Sequence, residues 1–161
     1  MHTAKEKNAD VCSYNDLELV KLSSADAAKV NPSVPFWGGP TALRTDLVKS
    51  GENVYSYGNS ELRLGLSPVS PKFGKSLGST NGGWTQVVYT VTPGIPGDSG
   101  SAFLDSSGRA FGVLSTLQLA PVAGSNGVGD LRLELGYLAA NGTVNVQLAS
   151  GTEPFNANRL A

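Results

Sequence analysis

Apolar and polar positions alternate with a period of two over much of this chain. In Asp16-Leu17-Glu18-Leu19-Val20-Lys21-Leu22 the alternation follows a leading aspartate, the signature of a strand with one buried face. A polar, helix-compatible stretch from Ser23 to Asn31 runs into Pro32 and Pro35. Residues 31–40 (NPSVPFWGGP) hold three prolines and two glycines and read as a linker between residues 1–30 and residues 41–161.

Beyond it the pattern predicts short strands at Asn53–Tyr57 (NVYSY), Leu62–Val69 (LRLGLSPV), Thr85–Val91 (TQVVYTV), Ser101–Leu104 (SAFL) and Arg109–Thr116 (RAFGVLST). Turn-forming clusters separate them: Gly58-Asn59-Ser60, the STNGG of residues 79–83 and the DSSG of residues 105–108. The stretch Gly78 to Gly83 is a hairpin turn on this reading, not a phosphate-binding loop. Many short strands between frequent turns predict an all-β barrel or sandwich. Residues 130–140 (DLRLELGYLAA) predict a short helix ended by Asn141-Gly142, and VNVQL at 144–148 returns to strand alternation. There is no internal repeat.

Composition narrows this picture. A length of 161 residues suits one domain with a true core. Charged residues make up 16%, against the roughly 25% of ordinary soluble domains, and 20 glycines and 9 prolines favour a loop-rich, extracellular β-protein. The net charge is −1 with no run of Lys or Arg, so nothing would neutralise a row of phosphates and nucleic acid is not expected as a partner. No apolar stretch approaches the ~20 residues of a membrane span, so no membrane partner is expected either. Residues 1–8 (MHTAKEKN) are polar and unlike a signal peptide. Cys12 is the single cysteine, read either as a small buried hydrophobe or as half of a bridge to another chain. The scarcity of His and Cys argues against zinc, and no cofactor motif is present.

The chemistry concentrates in Thr92-Pro93-Gly94-Ile95-Pro96-Gly97-Asp98-Ser99-Gly100-Ser101-Ala102. A serine alcohol is a poor nucleophile unless a base takes its proton and donors hold the developing oxyanion. A tight turn flanked by glycines meets the second need, because the N–H groups of Gly97 and Ser99 can point into one concavity. Ordinary turn geometry is the competing reading of a Gly-Asp-Ser-Gly tetrapeptide. The α/β-hydrolase elbow, G-x-S-x-G, does not fit, since Ser101 stands two positions after Ser99 and no histidine follows.

Gly97-Asp98-Ser99-Gly100, the apolar strand and DSSG turn behind it, and Gly112-Val113-Leu114-Ser115-Thr116 together resemble the chymotrypsin/trypsin-like serine peptidases. The Asp16–Leu22 segment is similar to the strand that the family's catalytic aspartate opens. The resemblance covers residues from about 12 to about 120. It implies a chymotrypsin-like double β-barrel, here its C-terminal barrel plus the last strand of the N-terminal barrel. The activity it implies is that of a secreted serine endopeptidase, with Ser99 as nucleophile and Asp16 as the residue orienting a histidine. It further implies an oxyanion hole from Gly97 and Ser99, and substrate contacts from Pro93, Gly94, Ser115, Thr116 and Leu117. Asp98 would order the oxyanion loop as the partner of a buried amine or side chain, or else serve turn geometry alone. Pro93 stands where a charged primary pocket would carry an aspartate, so an apolar substrate side chain is expected, walled partly by residues 118–124.

The chain departs from the family pattern at the base. Its one histidine, His2, lies in a polar terminal segment fourteen positions before Asp16 and reads as a frayed terminal residue. The resemblance implies that the histidine-bearing half is absent from these residues, as in a truncated product, a designed fragment or one chain of a two-chain enzyme; that half is a candidate partner and could carry a bridge to Cys12. Removing the histidine from such a triad costs on the order of 10⁶ in turnover in subtilisin, so the chain alone is expected to be nearly inactive. The alternative is a non-catalytic barrel that binds peptide or protein. Trp37 and Trp84 are expected to pack in the core or linker, and Asn141-Gly142-Thr143 matches a glycosylation acceptor.

Overall fold

The computed structural model describes residues 6–118, 122–142 and 144–160. His2, Thr143 and residues 119–121 of the expected pocket loop lie outside the described residues. Six strands, β1 Asn53–Tyr57, β2 Pro71–Thr80, β3 Thr85–Val91, β4 Ala102–Asp105, β5 Ala110–Gln118 and β6 Ser125–Asp130, form the centre of the protein. They pair antiparallel in the order β1-β2-β3-β6-β5-β4, and β4 returns to β1. The protein is thus all-β with a closed six-stranded barrel.

The period of two explains the two cores. Val54, Phe103 and Phe111 point into the barrel, where they meet Val48, Val88, Leu114 and Val128. Their neighbours Tyr55, Leu104 and Ala110 point outward onto Val34, Trp37 and Leu131. Residues 31–40 carry no regular element, yet they pack on the barrel: Trp37 is fully buried, and its Nε1 donates to the Ser56 carbonyl at 2.7 Å. The tail lies over it, with the Asn156 N–H donating to the Trp37 carbonyl at 2.9 Å. Trp84 is also buried.

Three short helices complete the described chain. Asn8 caps α1 (Ala9–Tyr14), Ser23 caps α2 (Ser24–Ala27) inside the polar stretch before Pro32, and Asp130 caps α3 (Leu131–Asn141) by accepting from the Leu133 N–H. Cys12 on α1 is free and half-buried.

Several expectations are corrected. Residues 16–22 form no strand: they join no sheet, and Leu19, Val20 and Leu22 are exposed. An alternating segment becomes a strand only when a neighbour supplies hydrogen bonds and covers its apolar face, and residues 16–22 pair with none of the six strands. Residues 62–69 instead contain two single 3-10 turns, Glu61–Arg63 and Ser67–Val69, because Leu64 (φ +51°) and Gly65 (φ +77°) turn the backbone left-handed between them. Residues 144–148 also form no strand. Strands β2 and β6 were not expected from the pattern.

Candidate active site

The loop from Thr92 to Ser101 leaves β3 and enters β4. Thr92 adopts φ +58°, a conformation that β-branched residues resist, and its Oγ1 donates to the Pro71 carbonyl at 2.8 Å. Gly97 has φ +93°. Among the described residues the N–H groups of Gly97 and Ser99 donate no internal hydrogen bond, which leaves two donors free in the turn that carries the exposed Ser99. The far side of the loop is tied to β5: Gly100 N–H donates to the Leu114 carbonyl at 2.8 Å, and Leu114 N–H to the Ser101 carbonyl at 2.9 Å.

Asp98 anchors the loop from beneath. Its carboxylate is 1% exposed and accepts from Arg63 Nη2, from Ser60 N–H at 3.0 Å and from Ile95 N–H at 3.2 Å, with Lys72 Nζ at 3.0 Å. Gly58 makes room for it, since a Cβ there would lie 2.3 Å from Asp98 Oδ1. Burial would push the carboxyl up, but Arg63, Lys72 and the Ile95 N–H outweigh it and hold Asp98 below its ordinary value. For Lys72, fully buried, burial pushes the ammonium down against the pull of Asp98. Of the two readings of Asp98, the geometry is that of a cation-paired anchor.

Ser115 sits at an irregularity in β5, where Leu114 pairs with Val128 and Thr116 with Gly127. The extra residue is a bulge, a device that re-aims a side chain out of the regular alternation. Ser115 Oγ donates to Asp16 Oδ2 at 2.9 Å. Asp16 thus comes to the strand edge without belonging to a strand. A cavity of about 470 Å³ opens beside this pair, bordered by Cys12, Tyr14 and Gln118. A second cavity of about 210 Å³ holds Ser99 with Gly94, Ile95, Leu117 and Asn126. Ser115 and Thr116 line both.

Of the expected site residues, Ser99, Gly94, Ser115, Thr116 and Leu117 therefore share one cavity, and Asp16 shares its neighbour. Pro93 does not line the smaller cavity; its carbonyl accepts from Arg63 at 3.2 Å and Lys72 at 3.4 Å. Sequence reasoning missed Arg63, Lys72, Asn126 and Glu134. Arg63 and Lys72 were visible only as cations inside otherwise apolar or small-residue runs. Glu134 of α3 is 1% exposed, and burial, reinforced by the charges of Asp16 and Asp130 against one favourable Asp16 N–H, pushes it up to about 7.

Among the described residues no group of His, Cys, Asp and Glu is placed to hold a metal ion, and no helix is long and apolar enough to cross a membrane. No family model matches the chain, and no curated protein matches it.

Proposed function

We propose that this chain is the C-terminal portion of a secreted, chymotrypsin/trypsin-like serine endopeptidase. On this reading Ser99 Oγ attacks the substrate carbonyl while its proton passes to a histidine, and the free N–H groups of Gly97 and Ser99 bind the oxyanion. The histidine then protonates the leaving amine, and water hydrolyses the acyl-enzyme. Asp16 orients that histidine, which belongs to the N-terminal half of the enzyme. The observation that carries the reading is Ser115: it hydrogen-bonds Asp16 and lines the cavity that contains Ser99. The exposed Leu19, Val20 and Leu22 support it too, since a missing barrel would cover them.

The test adds a candidate histidine-bearing half to the full chain and applies a fluorophosphonate probe. Labelling that disappears in Ser99→Ala is the expected result. An unlabelled Ser99 in a complex shown to have formed would overturn the enzyme reading. The second reading is a non-catalytic peptide-binding barrel, which keeps the cavity at Ser115–Leu117 and predicts peptide binding without labelling.

A further inference from the structure

The chemistry proposed at Ser99 makes no use of Glu134, whose surroundings single it out. Its side chain is 1% exposed and lies over β6 at Gly129, where a Cβ would stand 2.3 Å from Oε1. The Asp16 N–H is directed at the carboxyl, yet among the described residues neither oxygen completes a hydrogen bond. The charges that face it are acidic: Asp16 from the segment before Leu17, and Asp130 from the end of β6. Arg132 is turned onto Asp130, at 3.6 Å. Strand β5, on which α3 packs, carries no charged side chain.

Glu134 borders a cavity of about 210 Å³, with Leu17, Tyr137 and Leu138 as apolar walls and Asn15 and Asn141 beside them. Asn141 Nδ2 donates to the Tyr137 carbonyl at 3.1 Å, so what this side chain offers the cavity is an acceptor, its Oδ1. The Tyr137 hydroxyl meets a further acid, Glu6. A buried carboxylate without a partner is costly, and it either keeps its proton or acquires a cation. An ammonium suits these surroundings, because it brings three donors and no acceptor to carboxylate and amide oxygens. An aliphatic chain attached to it would cover Leu17 and Leu138 and exclude water from the pair.

We propose that this cavity is a binding site for a primary ammonium on a short aliphatic chain, with Glu134 as its counter-ion. The cavity shares no lining residue with that of Ser99, and the site does not depend on the peptidase reading. A free alkylamine and the side chain of a lysine present the same chemistry. The carboxyl keeps its proton up to about pH 7, so an ammonium must displace that proton in weak acid and meets a ready carboxylate in weak base.

The experiment titrates the ¹⁵N-labelled full chain with n-butylammonium, n-butanol and acetyl-lysine amide at pH 8 and pH 5, following backbone amide shifts. Both amines stay charged at either pH, so the change between them reports the carboxyl. At pH 8 n-butylammonium is expected to move Asn15, Leu17, Tyr137 and Leu138 and to bind at least about tenfold more tightly than n-butanol. Its affinity should fall at least about tenfold at pH 5, and calorimetry near pH 6 should show a proton released to the buffer. Glu134→Gln should bind the amine and the alcohol alike and lose the pH dependence. Asn141 is exposed, so Asn141→Lys keeps the fold and should weaken n-butylammonium several-fold while sparing n-butanol. A lead for acetyl-lysine amide over n-butylammonium makes a polypeptide lysine the occupant, and the reverse makes it a free amine. Equal binding of amine and alcohol, an affinity unchanged by pH, or no shift at these residues at pH 8 overturns the site. None of these outcomes alters the labelling test at Ser99, which stands or falls separately.

Discussion

Asp98→Asn tests whether the Thr92–Ser101 loop is held by buried charge. The substitution preserves shape and removes the negative charge from between Arg63 and Lys72, whose side chains are 8% and 0% exposed. Breaking a buried ion pair from one side leaves an uncompensated charge and costs about 3–5 kcal/mol. For a domain of this length that corresponds to a melting temperature lower by roughly 6–20 °C. Urea denaturation at pH 7 should show a reduced midpoint with unchanged slope. The sign of the pH dependence follows from the direction of the Asp98 shift. Its folded-state value lies below the ordinary 3.8, so the contribution is present above 3.8 and lost as pH falls through the lower, folded value. Wild type and variant should therefore converge in strong acid. Adding Lys72→Met to Asp98→Asn should recover part of the loss, because it removes one of the two orphaned cations. A loss below about 1 kcal/mol, or a gap unchanged by acid, would refute the anchoring argument.

Three further outcomes are expected. Glu134→Gln should match the wild type near pH 4 and exceed it at pH 8. A rise from 4.5 to about 7 stabilises the protonated fold below 4.5, and that advantage is lost as pH climbs through 7, by at most about 3 kcal/mol; chemical denaturation at the two pH values reads it. Trp37→Ala removes a fully buried indole packed edge-on against Phe36 and Tyr55 and leaves the Ser56 carbonyl without its donor, so a loss of about 3–5 kcal/mol is expected in the same assay. Ser115→Ala should leave global stability within about 1 kcal/mol of wild type while hydrogen exchange of residues 15–23 accelerates, since one exposed hydrogen bond to Asp16 is lost.

Where a side chain's neighbours were hydrophobic, the sequence pattern was enough. NVYSY and TQVVYTV became β1 and β3 at the expected residues, β4 and β5 fell within two residues of expectation, and DLRLELGYLAA became α3. The failures occur where polar atoms or missing side chains decide. Strand β2 reads PKFGKSLGST, and Lys72 inside it is buried against Asp98 and the carbonyls of Thr92 and Pro93. Strand β6 reads SNGVGD, a loop by composition. Its glycines are required by close approach: a Cβ at Gly127 would lie 2.4 Å from Thr116 Oγ1, and one at Gly129 2.3 Å from Glu134 Oε1. LRLGL has a strand's alternation, but Arg63 is drawn to Asp98 and the backbone turns behind it. Of the candidate site, Ser99, Asp16 and the Ser115 edge were legible from motif order. The bulge that aims Ser115, the cations beneath Asp98 and the hydrogen bonds from Asn126 to Gly94 and Thr116 were not, because each joins segments distant in sequence.

The two sides of the candidate site are anchored by forces of different size. The Ser99 loop rests on a buried carboxylate shared by two cations and is tied to β5 by two backbone hydrogen bonds. Asp16 is held at β5 by the Ser115 hydroxyl at the surface, an interaction worth about 1 kcal/mol at most, on a segment with no strand partner. A segment so held opens far more readily than the barrel. On the peptidase reading, a half that brings the histidine therefore has little to do at Ser99, whose surroundings are already built. Its free energy of association is directed to pairing residues 16–22 and fixing Asp16. Assembly should thus change hydrogen exchange most at Asp16–Leu22 and least at Gly97–Ser101.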